Sequence, residues 1–370
     1  MDTALKALAD RVAAARADRT PLHILGGGTK AHLGEVPASS GAAGEPLRTD
    51  GLRGIVAYEP SELVVTVRAG TPLAELEAAL AEQGQQLAFE PPRLGRDAST
   101  GGTVGGMVAA GLSGPARATV GSLRDYVLGA SLLDGRGEQL RFGGQVMKNV
   151  AGYDISRLLA GSWGVLGVIT DVSLKVLPRP PACATLRFEW PQEQALQQLA
   201  RWSAQPLPIS AGTWLDGVLW LRLCGAAAAV RQAVQALGGS PVSDTDAAAL
   251  WNSLRDQRHA YFELARARAA ADAATLWRLS VPATTAALAL PGPTLLEWGG
   301  AQRWVLTDAP AAAVQQAAQA CGGHAQAWLG PRPALSWAAL SPELLALHRA
   351  VKTAFDPEGL FNPGRLHPQI

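Results

Sequence analysis

The chain has 370 residues, 48% of them hydrophobic, with Lys plus Arg at 32 against Asp plus Glu at 31. This length and apolar content permit a large core and predict two or more domains. The near-zero charge balance argues against nucleic acid or an anionic membrane as partner, and the longest apolar runs, alanine-rich and broken by charges, fall short of the roughly 20 residues a bilayer span needs.

The N-terminus, MDTALKALADRVAAARADRT, has neither a basic n-region nor an apolar h-region, and its apolar residues recur at helical spacing. It predicts an amphipathic helix and a cytoplasmic protein. Leu22 to Leu25 then reads as a short strand that ends in Gly26, Gly27, Gly28, Thr29 and Lys30, a nest of N–H groups suited to an anion. Gly26, Gly28 and Ala31 also fit the dinucleotide pattern G-x-G-x-x-A, but a Rossmann loop opens a long helix. Here the chain runs into HLGEVPASSGAAGEP, full of helix breakers, so a loop between strands is expected.

Ile55 to Tyr58 and Leu63 to Ala69 read as strands joined by a turn at Glu59, Pro60 and Ser61. Thr71 is expected as the N-cap of a helix with Pro72 at its first position and Leu73, Leu76 and Leu80 as its apolar stripe. Phe89 to Pro92 leads into Arg96 to Gly121, which carries seven glycines. There Ser99 or Thr100 is expected to cap a short helix over Thr103 to Ala110, whose nearly bare first turn invites a phosphate. Tyr126 to Asp134 is a strand, followed by a turn at Gly135 and Gly137. The polar cluster Lys148 to Asp154 precedes Gly161, Gly164, Gly167 and a strand over Val168 to Leu177, and Pro178, Pro180 and Pro181 mark a domain boundary.

Residues 182–330 are richer in alanine and tryptophan. Strands are expected over Thr185 to Trp190, Ile209 to Leu215, Val218 to Leu223, Leu276 to Val281, Leu295 to Trp298, Arg303 to Thr307 and Ala325 to Leu329. Helices are expected over Gln192 to Ala204, Ala226 to Leu237 and Pro310 to Ala320. Two sets of split βαβ units give an antiparallel sheet. Trp202, Trp214, Trp220, Trp251, Trp277, Trp298 and Trp304 either fill this alanine-rich core, the favoured reading, or form a partner surface. The tail begins with a helix capped by Ser341 and Pro342, and its turn-rich end, DPEGLFNPGR at 356–365, predicts a docked segment. Cys183, Cys224 and Cys321 offer no C-x-x-C pair for zinc or an iron–sulfur cluster, and three is odd for a disulfide framework. No metal site is expected, so electron transfer would need an organic cofactor or a cluster on another chain.

Gly26 to Lys30, the glycine stretch 99–106, KNVAGYD at 148–154, GSWGVLGVIT at 161–170 and the tail motif occur in one order. Together they resemble the vanillyl-alcohol-oxidase-type flavoproteins, whose FAD domain is also called PCMH-type. Within that family, STGGTVGGMVAAG, RDYVLG and KNVAGYDISRLLAGSWGVLGVIT are similar to the FAD-binding subunits of bacterial glycolate-oxidising complexes. The resemblance implies an α+β protein with a two-subdomain FAD-binding domain at 1–180, a smaller antiparallel ferredoxin-like cap at 181–330 and a C-terminal segment, 331–370, that returns to the FAD domain. It implies that Gly26, Gly27, Gly28, Thr29 and Lys30 hold the FAD pyrophosphate through backbone N–H groups. Ser99, Thr100, Gly101, Gly102, Thr103, Gly105 and Gly106 would complete the cradle, with Thr103 offering a side-chain donor. Pro92, Asn149, Tyr153, Gly164, Gly167 and Ile169 would complete the cofactor set. Covalent members tether the flavin through a histidine in the first glycine loop. Thr29 takes that slot here, which implies non-covalent FAD.

The implied function is oxidation of glycolate or a similar 2-hydroxy acid, with a larger FAD-binding subunit and an iron–sulfur subunit as partners and any membrane association arising through them. The reaction needs a base, a cation for the carboxylate and the flavin N5 as hydride acceptor. Catalytic residues are not identifiable. Larger relatives pair metal-binding histidines in the cap, whereas this cap offers only His259 and His324, widely separated, with Arg278 and Arg303 as candidate carboxylate clamps. Two alternatives stay open: a flavin-binding structural subunit with the chemistry on a homologous larger subunit, and an NADPH-dependent enolpyruvyl-sugar reductase of the same fold.

Overall fold

Every residue of the strand Val127–Leu133 is buried, the pattern of a strand covered on both faces. In the computed structural model, which describes residues 2–33, 44–95, 101–144, 153–330 and 339–370, it belongs to a five-stranded antiparallel sheet. The order is Ile55–Glu59, Val64–Arg68, Val168–Lys175, Val127–Leu133, Gln139–Gly143. The chain divides into two compact units, Met1–Leu112 with Ser122–Arg179 and Leu340–Ile370, and Ser113–Gly121 with Pro180–Ala339.

In the first unit, Leu22–Leu25 pairs in parallel with Glu45–Arg48, so the intervening glycine loop does lie between strands. The helix Thr3–Asp18 buries Leu5, Leu8, Val12 and Ala15 in one cluster with Leu22, Leu47 and Phe361. Two capping expectations are corrected. The helix after Thr71 begins at Leu73, with Pro72 in the N-cap position, because the Thr71 hydroxyl is occupied by the N–H and carbonyl of Gly54. The short helix Val104–Ala110 is capped by Thr103, whose Oγ1 accepts from Gly106 N at 3.3 Å, rather than by Ser99 or Thr100, which lie outside the described residues. The turn expected at Glu59 to Ser61 is a single 3-10 turn, Pro60–Glu62.

The tail helix Pro342–Phe355 starts as expected, with Ser341 Oγ accepting from Leu344 N. Its end is tied down by a buried ion pair. Lys352 Nζ donates to Asp356 Oδ2 at 2.5 Å and to the carbonyls of Val165 and Phe361, while the Asp356 carboxylate accepts from Leu360 N and Phe361 N. A bridge between Leu22 and Phe361 then lays the tail along the first strand.

The second unit is built on an eight-stranded antiparallel sheet ordered Ser240–Val242, Ala182–Glu189, Val218–Gly225, Ile209–Leu215, Thr294–Glu297, Gln302–Thr307, Thr275–Ser280, His324–Leu329. Each half has the strand order 4-1-3-2 of a split βαβ unit when numbered within itself, and the halves join through Ile209–Leu215 and Thr294–Glu297. The α+β expectation therefore holds. Trp202, Trp251, Trp277, Trp298 and Trp304 are buried, and Trp214 and Trp220 half-buried, so the tryptophans supply the bulk that alanine lacks. The helices Asp244–Arg255 and Ala260–Ala270 were not legible from apolar spacing, although Ser243 and His259 cap them. The cysteine reading is also corrected: Cys183 and Cys224 face one another across neighbouring strands and form a disulfide. Pairing 41 residues apart is set by strand register, which the bare count of cysteines does not contain. Among the described residues no helix is long and apolar enough to cross a membrane.

Candidate cofactor site

The strand Leu22–Leu25 delivers the chain into Gly26, and from there five successive main-chain N–H groups, Gly26 to Lys30, donate to no acceptor among the described residues. The loop is nonetheless closed on itself, because Ala31 N donates to Gly28 O and Leu33 N to Lys30 O, each at 3.1 Å. Its carbonyls hold the turn and its amides are left over, the arrangement of an anion-binding nest.

These residues line a cavity of about 360 Å³ within the first unit, inside the range of roughly 300 to 1,000 Å³ usual for small-molecule sites. The rest of its wall comes from His23, Ile24, Pro46, Thr103, Ala109 and Trp163, with Asn362 and Arg365 of the tail. Asn362 Oδ1 accepts from Ile24 N at 2.9 Å and its Nδ2 donates to Trp163 O at 2.7 Å, so one side chain pins three separate segments. Arg365 donates to Lys30 O at 2.7 Å and lies 5.7 Å over the Trp163 ring. The lining contains Lys30, Arg365 and His23, with no Asp or Glu among the described residues. Burial pulls the Lys30 amine down to about 8, since desolvation penalises its charged form. Chemically the cavity is an anion receptor with an aromatic and aliphatic wall.

The second glycine stretch departs from expectation. Val104 N donates to Thr71 O, Gly105 N to Ala69 O at 2.7 Å and Gly106 N to Thr103 Oγ1, so of the amides expected to face a phosphate those of Gly105 and Gly106 are already used. A Cβ on Gly105 would lie 2.7 Å from that of Ala69, so its missing side chain serves helix-to-strand packing. Thr103 and Gly106 still line the cavity, and the Thr103 hydroxyl, which accepts from Gly106 N inside its own helix, keeps its O–H to donate. Gly102 has φ +98°, and a Cβ there would sit 3.0 Å from Thr29 Oγ1 and 3.3 Å from Lys30 Nζ. This glycine makes room for the first loop's side chains.

Of the remaining expected cofactor residues, Gly101 and Pro92 are buried and do not appear in the cavity wall. Gly164 packs beside Asn362, Gly167 beside Leu132 and Leu133, and Ile169 is core, paired with Leu132 in the sheet. Tyr153 is 92% exposed and away from the cavity. Ser99, Thr100 and Asn149 lie outside the described residues. The wall residues missed by sequence reading include His23, Ile24, Trp163, Asn362 and Arg365. The tail's turn chemistry was the one signal that could have led to the last two.

In the second unit the two candidate clamps separate. Arg303 is 1% exposed and donates through Nε and both terminal nitrogens to the carbonyls of Gly300, Ala286 and Thr285, which makes it a structural residue. Arg278 is held by Nε to Gln302 Oε1 at 2.8 Å and lies 5.3 to 5.9 Å over the rings of Trp298, Trp304 and Trp328. Burial, with Arg117 nearby, lowers its pKa to about 10. His259 accepts from Tyr261 N through Nδ1 and so caps a helix.

The chain matches the FAD binding domain family over residues 3–143 and the C-terminal domain of FAD linked oxidases over residues 337–366. It is 44% identical over 365 residues to glycolate oxidase subunit GlcE of Escherichia coli (strain K12), which covers 99% of this chain and 98% of that one. A glycolate oxidase subunit GlcD of Bacillus subtilis is 32% identical over 170 residues, 45% of this chain and 34% of its own. A D-lactate dehydrogenase of Archaeoglobus fulgidus is 30% identical over 191 residues, 51% and 41% respectively. In structure the chain is similar to alkyldihydroxyacetonephosphate synthase, with TM-score 0.62 and 16% identity over 96% of this chain and 75% of that one, a likeness of fold alone.

Proposed function

We propose, on the premise that this chain belongs to the FAD-linked oxidases of the vanillyl-alcohol-oxidase type and among them to the glycolate oxidase E subunits, that it binds FAD in the first unit and oxidises glycolate within a complex. FAD is the family's cofactor, and the chain is an FAD-linked oxidoreductase acting on CH–OH donors. The observation that carries the siting is the run of five unengaged amides at Gly26 to Lys30, in a cavity with two cationic side chains and no described carboxylate. A diphosphate satisfies those amides at once, and the residues present fit it. When bound, FAD supplies the acceptor for the hydride that leaves carbon 2 as glycolate becomes glyoxylate, the hydroxyl proton passing to a base.

Gly26 to Lys30 bind the diphosphate, Trp163 and Ile24 exclude water from one side, and Asn362 and Arg365 hold the tail closed over the loop. Thr29 stands where covalent members carry the tethering histidine, so the cofactor is non-covalent. Electrons leave through the flavin to a larger FAD-binding subunit and an iron–sulfur subunit.

A second reading, in which the larger subunit performs the substrate chemistry, is favoured by the engagement of Arg303 and His259 in structural bonds. The test is a spectrum of the purified chain after addition of FAD, followed by glycolate with an artificial acceptor. Bleaching of the bound flavin by glycolate supports catalysis on this chain. Turnover only after the partner subunits are added supports the second reading, and a chain that takes up no FAD removes both.

A further inference from the structure

Lys30 is the one residue of the glycine loop with a titratable side chain, and its position is unusual. Its ammonium sits beside Gly102, where a Cβ would come within 3.3 Å of Nζ, and it forms part of the cavity wall together with Thr29. The ammonium itself has no hydrogen-bonding or ion-pair partner among the described residues. The residue keeps part of its surface open, yet the amine is densely surrounded by protein, which is what draws its pKa down to about 8.

Among the described residues the other groups around it supply no counter-charge. The cavity wall adds only His23 from the first strand and Arg365 from the tail, whereas Thr103, Gly106, Ala109, Ala110 and Trp163 carry no charge. Glu45, on the neighbouring strand, is already paired with Arg11. An ammonium surrounded by protein with no described carboxylate beside it is complementary to an anion, because burial of a charged amine is costly unless it is paired.

We propose that the Lys30 side chain is the charged partner of the FAD diphosphate, so that FAD binding is coupled to proton uptake at Lys30. This rests on the reading that FAD occupies the cavity, and it adds a side-chain contact and a regulation by pH to a site otherwise built from amides. The two negative charges of the diphosphate favour the protonated amine, so its pKa is higher in the bound state than in the free one. The sign follows directly. Affinity is fully present below about pH 8, where free Lys30 already carries its proton, and falls as pH rises from there through the bound-state value.

The experiment is FAD titration of the full-length apoprotein from pH 7 to 9.5, followed by flavin fluorescence and by calorimetry in buffers of different ionisation enthalpy. Wild type is expected to weaken by up to about tenfold per pH unit above pH 8 and to take up a fraction of a proton on binding. Lys30→Met is expected to bind about tenfold or more weakly at pH 7 and to lose the proton uptake. Lys30→Arg is expected to bind tightly without the pH dependence, which keeps the proposal testable if the methionine variant does not fold. His23→Gln, whatever its affinity at pH 7, is expected to keep the fall in affinity above about pH 8. If wild type binds FAD but Lys30→Arg or Lys30→Met retains the same pH profile, or if His23→Gln abolishes it, the lysine proposal is overturned and the FAD site stands. If folded wild type takes up no FAD at any pH, the site assignment itself falls, and this proposal with it.

Discussion

Arg365 reaches across 335 positions of sequence to donate a 2.7 Å hydrogen bond to the main-chain carbonyl of Lys30. The bond fixes the last residue of the glycine loop from outside, on the carbonyl side, and leaves the amide side of the loop to a ligand. The tail is therefore part of the cavity wall even though it lies far along the chain from the loop.

That relationship predicts the effect of Arg365→Ala. The tail stays docked through Asn362 and Lys352, so circular dichroism should be unchanged. FAD affinity should fall about tenfold, the value of one hydrogen bond to a charged donor, read by flavin fluorescence titration.

The docking itself depends on Lys352 and Asp356. Lys352→Met strands a carboxylate with 0% side-chain exposure and should cost about 3–5 kcal/mol, seen as a lower urea midpoint. The pair Lys352→Met with Asp356→Leu should recover part of that loss, because no unpaired charge remains; further destabilisation in the double variant would contradict the argument.

Arg303 is predicted to matter for folding rather than for substrate. Arg303→Met removes the donor to three carbonyls and should cost about 3 kcal/mol or more. Thermal unfolding should report the loss, and the folded protein should bind FAD as tightly as wild type. A weakened FAD titration with an unchanged melting temperature would return Arg303 to the candidate ligand contacts.

The stability of the unliganded protein should carry a pH signature from Lys30. Its folded pKa is about 8 against an ordinary value of 10.5, so between these the unfolded chain binds more protons than the folded one and stability rises with pH. Lys352 is shifted downward too, and the signature is therefore the difference between wild type and Lys30→Met. Denaturant melts at pH 8 and pH 10 should show wild type gaining on the variant. No relative gain would mean that the amine is solvated.

Non-covalent attachment makes a simple prediction. Acid precipitation of the flavin-loaded protein should leave all yellow colour in the supernatant. Flavin remaining in the pellet would show a tether that Thr29 cannot provide.

Much of this was readable from residue order. Short-range chemistry determined the strand before Gly26, the Ser341 cap with Pro342 behind it, the split βαβ pattern of the second unit and the glycine loop between two strands, because propensity, capping and turn formation act over a few residues. The family resemblance rested on the same local motifs.

What tertiary structure alone decided was the partner of each polar group. Val104 and Gly105 look available in sequence, but the carbonyls of Thr71 and Ala69, more than 30 residues earlier, take their amides. Arg278 and Arg303 look equivalent, yet sheet register and the carbonyls of Thr285, Ala286 and Gly300 enclose only Arg303. Cys183 meets Cys224 through strand pairing, and Asn362 and Arg365 reach the cavity because a buried lysine and aspartate turn the tail back. Sequence specifies which groups want partners over a few bonds of chain; the folded packing, which brings distant acceptors within 3 Å, chooses among them.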